Sequence, residues 1–171
     1  VDIVVVMDPQ HGLLTRHLID RIKTISRQHG KPLYVDAQVS HKDSNHHLYT
    51  GADTMIVNER EAKAADTSFD TNNAERSMRA LKKKFKLTNV IVKLGESGSI
   101  GLFGDTFIQT PGYRVKAVDA WGAGDAFLAA FSLGDPRRLE ETLRLANIWA
   151  GLSTLIAGTT PPKRKELIKA L

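Results

Sequence analysis

The stretch Val118-Asp119-Ala120-Trp121-Gly122-Ala123-Gly124-Asp125-Ala126-Phe127 decides how this sequence is read. Val115 to Val118 leads in as the end of a strand, and two glycines one residue apart make a turn. An apolar helical stretch then runs to about Leu133, with Asp125 at its mouth. A helix N-terminus presents unpaired backbone N–H groups and partial positive charge, so it attracts anions. Gly122 and Gly124 leave the backbone open to a phosphate that must come close. The same residues also suit a plain tight turn, with Asp125 a first-turn carboxylate favoured by the helix dipole. Spacing alone leaves both readings standing.

Working outward, short β-branched runs alternate with helical periodicities. Strands are expected over residues 1–7, 33–36, 54–57 and 90–94, the first a run covered on both faces. Leu18, Ile19, Ile22 and Ile25 recur at helical spacing over residues 15–28, and Gly30 then Pro32 end that helix. Further helices are expected over residues 59–65, 71–84 and 138–157, with a short last one opened by Pro161-Pro162. Gly104-Asp105 is a two-residue hairpin signal between residues 99–103 and 106–109. Residues 41–50 are polar and histidine-rich, and read as a loop with a helical turn. Strands alternating with helices argue for a mostly parallel sheet with helices on both faces, in one α/β domain without repeat or linker.

Composition narrows the function. The 171 residues contain no cysteine, which excludes disulfide frameworks, Cys-ligated zinc, iron–sulfur clusters and thiol nucleophiles, and fits a reducing cytoplasm. No apolar run approaches the ~18 residues of a membrane-spanning helix, and the start lacks the marks of a signal peptide. Lys and Arg exceed Asp and Glu by 24 − 19 = 5. That excess suits a nucleotide or a phosphorylated substrate, with nucleic acid as the rival.

Four other clusters bear on chemistry. Asn58-Glu59-Arg60-Glu61 at a strand-to-helix junction has the spacing of a capping box. Lys93-Leu94-Gly95-Glu96-Ser97-Gly98 is a glycine loop at a strand end, and Asn147 interrupts a largely apolar helix. Asp36 at a strand end either faces a crevice or forms a turn. His41, His46 and His47 lack a carboxylate at ligand spacing and read as a solvated loop. Lys82-Lys83-Lys84 closes a helix C-terminus, where cations suit the dipole.

Taken together, residues 118–127 resemble the C-terminal signature of the ribokinase-like (phosphofructokinase-B) carbohydrate kinases. Asn58-x-x-Glu61, the loop after Lys93 and the Asn147 helix follow the family's order. The resemblance implies a ribokinase-like three-layer α/β/α sandwich and ATP-dependent phosphoryl transfer to a sugar or sugar-phosphate hydroxyl. Asp125 would be the general base, with Gly122, Ala123 and Gly124 as anion hole. Asn58, Lys93, Gly95, Ser97, Gly98 and Asn147 would lie along the nucleotide, and Lys93 would either add charge near the phosphates or point to solvent. Glu61 would organise Mg2+ through water, and Asp119 with the Gly158 loop would hold a monovalent cation such as K+.

Within the family, residues 32–36 and 50–53 resemble the kinase domain of bifunctional ADP-heptose synthases, which suggests a heptose phosphate. Ala37-Gln38 stands where those enzymes show Pro-Lys, the loop to Gly51 is longer, and Trp121 replaces a small residue. The family's N-terminal sugar-binding glycine motif and β-lid are not recognisable. Residues 1–171 are therefore expected to be the C-terminal, nucleotide-binding and catalytic portion of a larger kinase domain, opening inside a strand because an upstream part is missing. A non-catalytic nucleotide-binding module and a basic nucleic-acid-binding domain are the alternatives. A homodimer is left open, and no membrane partner is expected.

Overall fold

The computed structural model describes residues 1–39 and 44–171. Six strands, β1 (Val4–Asp8), β2 (Leu33–Ala37), β3 (Thr54–Asn58), β4 (Asn89–Lys93), β5 (Ser99–Phe103) and β6 (Thr106–Thr110), are hydrogen-bonded in the order of the chain. β1 pairs parallel to β2 with Val4 opposite Leu33, and β2 parallel to β3 with Tyr34 opposite Thr54. Parallel neighbours need crossovers. Helix α1 (Arg16–Gln28) supplies the first, and α2 (Glu59–Ala65) with α3 (Ala74–Phe85) joins β3 to β4. α4 (Ala123–Ser132), α5 (Leu139–Ser153) and α6 (Arg164–Ala170) complete the chain. This is the α/β class that the alternating pattern predicts.

The chain divides into two compact units. The first comprises residues 1–92 and 100–107, and the second residues 93–99 and 108–171. In the first, Val35, Met55, Ile56, Val90, Ile91 and Val92 are buried with Ile19 of α1 and Met78 and Leu81 of α3. Each helix buries one stripe because its apolar residues recur at three- and four-residue spacing. In the second, α4 packs on α5, and Phe127 and Phe131, four residues apart, lie parallel with ring centres 6.4 Å apart. Gly134 is required there, since a Cβ on it would collide with Thr142 of α5.

Local chemistry sets most boundaries. Thr15 caps α1 by accepting the Leu18 N–H at 3.3 Å, and His29 closes it through Ile25 and Arg27 carbonyls. Lys82, Lys83 and Lys84 occupy the last turn of α3, as the dipole argument expects. Gly104-Asp105 is the β5–β6 turn, tied down by Arg79 and Lys82.

Five expectations need correction. β1 is covered on one face only: Val6 and Asp8 are buried while Val5 and Met7 are 41% and 45% exposed. Residues 115–118 form no strand, because the Val118 and Asp119 N–H groups donate to the Thr154 carbonyl instead of a strand partner. α5 stops at Ser153, four residues early; the Ser153 and Thr154 hydroxyls turn back onto the carbonyls of Ala150 and Gly151. The last helix begins at Arg164, beyond the Pro161-Pro162 pair, with Glu166 accepting the Lys163 N–H. Finally, the histidine segment is not simply solvated. Residues His46–Tyr49 form a 3-10 turn in which His46 and Tyr49 are buried; His41 lies outside the described residues.

Candidate functional site

The carboxyl ends of parallel strands are where α/β sheets present ligand groups. In the first unit these ends carry Asp8, Asp36 and Asn58. Asn58 caps α2: its Oδ1 accepts the Glu61 N–H at 2.9 Å, and Glu61 Oε2 accepts the Asn58 N–H at 2.6 Å. The capping-box reading is therefore correct, and it leaves a carboxylate 6% exposed at the strand end. Asp36 is buried within β2.

The second unit holds the glycine turn. Gly122 stands before α4 with φ +80°, the left-handed region that favours glycine, and it offers no capping side chain. A Cβ on Gly122 would approach Thr159 Cγ2 to 3.2 Å. Among the described residues no side chain caps the first turn of α4; the Ala123 N–H donates to the Ala120 carbonyl at 3.3 Å, and a helix start of this kind is where an anion can bind. Asp125, the third residue of α4, is exposed. Lys93 at the end of β4 reaches this turn: its Nζ lies 3.2 Å from where a Gly124 Cβ would be. Glycine at 124 is what lets the ammonium come so near the helix backbone.

Asp119 ties the turn together. Its Oδ1 accepts the Trp121 N–H at 3.0 Å and its Oδ2 the Gly158 N–H at 2.8 Å. These two bonds, Trp121 first, hold its carboxyl below the usual carboxylate range. The loop after Lys93 is braced from behind. Gly95 and Gly98 have φ of +59° and +95°, and a Cβ on Gly98 would run into the Thr110 carbonyl. Ser97 ends the short 3-10 turn between them. Asn147, 7% exposed, donates through Nδ2 to Ser99 Oγ at 3.0 Å, to Thr110 Oγ1 at 2.9 Å and to the Pro111 carbonyl at 3.3 Å. In this unit Asn147 clamps the ends of β5 and β6.

Within the second unit the structure therefore brings together Gly122, Ala123, Gly124, Asp125 and Lys93 around one helix N-terminus. Gly98 and Asn147 each brace the segment at Thr110. Asn58 and Glu61 form their own pair in the first unit.

A sequence model of the family described as pfkB family carbohydrate kinase matches residues 13–166. The chain belongs to this family. Among curated relatives, "Bifunctional protein HldE" of Campylobacter fetus subsp. fetus (strain 82-40) is 31% identical over 156 residues, 88% of this chain and 33% of that protein. The protein of the same name from Pelobacter propionicus (strain DSM 2379 / NBRC 103807 / OttBd1) is 29% identical over 99% of this chain and 35% of its own. Arabidopsis thaliana ribokinase, solved with ribose and ATP, superposes with a TM-score of 0.84 at 25% identity, over 99% of this chain and 55% of that one. Escherichia coli phosphofructokinase-2 gives 0.82 at 21% identity, over 98% and 55%, a likeness of fold. The chain thus spans about a third of the HldE proteins and about half of the solved kinases.

For a pfkB family chain, one buried group went unread in the sequence. Asp8, the last residue of β1, is 2% exposed and accepts from the Gln10 N–H at 2.9 Å, Asn45 Nδ2 at 2.6 Å and Tyr49 Oη at 2.7 Å. Burial first, then the bond to Asp8, pushes the Tyr49 phenol well above its ordinary value. The available signal was a carboxylate at a strand end, as at Asp36. Its two side-chain partners lie 37 and 41 residues away and share no local pattern with it. Among the described residues no three His, Asp or Glu side chains cluster to hold a metal ion. Among the same residues no helix is long and apolar enough to cross a membrane.

Proposed function

We propose that this chain is the C-terminal, nucleotide-binding and phosphoryl-transferring portion of an ATP-dependent sugar kinase. The acceptor is a hydroxyl of a sugar or sugar phosphate, and a heptose phosphate is the particular candidate suggested by the resemblance of residues 32–36 and 50–53 to the kinase domain of bifunctional ADP-heptose synthases. The observation that carries the reading is the uncapped N-terminus of α4, opened by glycines and approached by Lys93, with Asp125 exposed on its first turn. Phosphoryl transfer asks for little else: an anion cradle, positive charge and one proton acceptor.

In this reading the Asp125 carboxylate takes the proton of the acceptor hydroxyl as its oxygen bonds to the γ-phosphorus. The bond from that phosphorus to the β–γ bridging oxygen breaks, and ADP leaves with the electron pair. Gly122, Ala123 and Gly124 N–H groups, with Lys93, stabilise charge on the equatorial oxygens. The loop of Gly95, Ser97 and Gly98 lines the phosphates and Asn147 acts through the segment it clamps, while Asn58 is assigned to the nucleotide by the family resemblance alone. Glu61 suits Mg2+, held through water, because its carboxylate is fixed by the Asn58 N–H; the ion would neutralise phosphate charge. A monovalent cation would sit by Asp119 and the Gly158 loop, using backbone carbonyls, since both Asp119 oxygens accept N–H bonds. We place the protein in the cytoplasm on its lack of cysteine.

The test is Asp125→Asn in the complete enzyme, with ATP and sugar phosphates as substrates. Turnover should fall by about 10²–10⁴, the usual contribution of a general base, with ATP affinity nearly unchanged. Lost ATP affinity at normal turnover would refute the base assignment. ATP binding with no transfer to any sugar in the wild type would favour the non-catalytic module.

A further inference from the structure

A pocket of about 330 Å³ lies at the opposite end of β2 and β3 from Asp36 and Asn58. Leu33 opens β2 there and Asp53 immediately precedes β3. Five-residue parallel strands are about 16 Å long, so this pocket is separate from the strand ends that carry Asn58. Three cations, Lys23, Arg27 and Lys31, line it against one carboxylate, Asp53.

Hydrogen bonds tie the walls, and Lys23 and Arg27 lie against backbone. Asp53 Oδ2 accepts the Leu33 N–H at 2.7 Å, and Ser26 Oγ, itself buried, donates to the Lys31 carbonyl at 2.5 Å. The Lys23 side chain is 17% exposed, with Nζ donating to the Leu48 carbonyl at 3.0 Å. Gly51 has φ +85°, and a Cβ on it would sit 3.8 Å from an Arg27 guanidinium nitrogen, so the guanidinium lies over bare backbone.

Cations near a helix C-terminus commonly serve the dipole. At α1 that need is already met: the Ile25, Ser26 and Arg27 carbonyls accept the N–H groups of His29, Lys31 and Gly30. Lys23 is paired with Asp20 at 3.8 Å and Asp53 is turned onto the Leu33 N–H, so Arg27 and Lys31 leave the cavity net positive and suited to an anion. A planar guanidinium fork beside ammonium groups fits a tetrahedral oxyanion with several acceptor oxygens, and the volume exceeds what a halide fills.

The geometry points to a second anion site, distinct from the α4 N-terminus, that takes the phosphate group of a small phosphorylated molecule. The test uses the full-length protein with inorganic phosphate and pyrophosphate as probes, followed by thermal shift and by ³¹P line broadening. Binding should survive Lys93→Ala and weaken at least about tenfold in Arg27→Gln/Lys31→Gln, whose exposed or half-buried side chains leave the fold intact. The probe bound more tightly then tells a monophosphate source from a diphosphate one. Unchanged binding in the double variant, or complete loss in Lys93→Ala, overturns the proposal. Neither probe binding, while single-stranded RNA binds and loses affinity in the double variant, overturns it in favour of a nucleic-acid surface.

Discussion

At the scale of single residues, His46 shows how much a fold can change a side chain. It stands in a polar, histidine-rich segment, yet the structure buries it completely, with Nδ1 2.6 Å from Ser44 Oγ. Burial holds its imidazole below the ordinary value of 6.5, against smaller opposing effects of the Ala37 backbone and Asp8. The sign follows from linkage. A base whose folded pKa is depressed binds its proton first in the unfolded chain, so its share of stability is present above pH about 6.5 and is lost as pH falls below it. Thermal unfolding followed from pH 8 to about 5 should show a falling midpoint. His46→Gln should be less stable at pH 8 but lose less on acidification. Equal slopes for the two proteins would mean that His46 titrates normally.

Among elements, α2 and α4 begin in opposite ways. α2 is only seven residues long, and the Glu61 N–H of its first turn and the N–H of its cap are satisfied reciprocally by Asn58 and Glu61. Short helices are marginal alone, so the box matters. Asn58→Ala should cost about 1 kcal/mol, lowering the melting midpoint by roughly 2–4 °C for a chain of this size. A midpoint unchanged in Asn58→Ala would show that packing of Ala62 and Ala65 alone holds α2. α4 instead starts on a glycine with no cap, although Ser, Thr, Asp or Asn would stabilise it. A helix start without a side-chain cap, beside a lysine, is a local rule broken where function is expected. Sequence patterns showed both junctions clearly, because capping boxes and glycine turns are local. The missing strand over residues 115–118 was not legible, since the Val118 N–H donates to the Thr154 carbonyl, 154 − 118 = 36 residues on.

On the scale of the whole molecule, ligand binding should report on stability. If MgATP binds only the folded chain, a concentration one hundred times its Kd adds about 2.7 kcal/mol to the unfolding free energy. Denaturant titration with and without MgATP measures this directly, and the absence of any shift would count against nucleotide binding by these residues. Surface ion pairs such as Lys63–Glu59 at 2.8 Å and Arg79–Glu75 at 2.7 Å add little by comparison, because exposed pairs are worth about 0–1 kcal/mol.

The sequence by itself determined the α/β class, the order of the elements apart from the strand expected over residues 115–118, and the residues around the glycine turn whose resemblance pointed to the family. All of these are written in local spacing: period-two and period-3.6 burial, caps, and a motif ten residues long. Only the tertiary structure decided that Asp8 and Tyr49 share a buried bond, that Asn147 clamps β5 and β6, that Lys93 reaches Gly124, and that Lys23, Arg27 and Lys31 surround one pocket. Those pairings join residues up to 48 positions apart, and their partners are chosen by packing and by the need to satisfy buried polar groups, which no local pattern encodes.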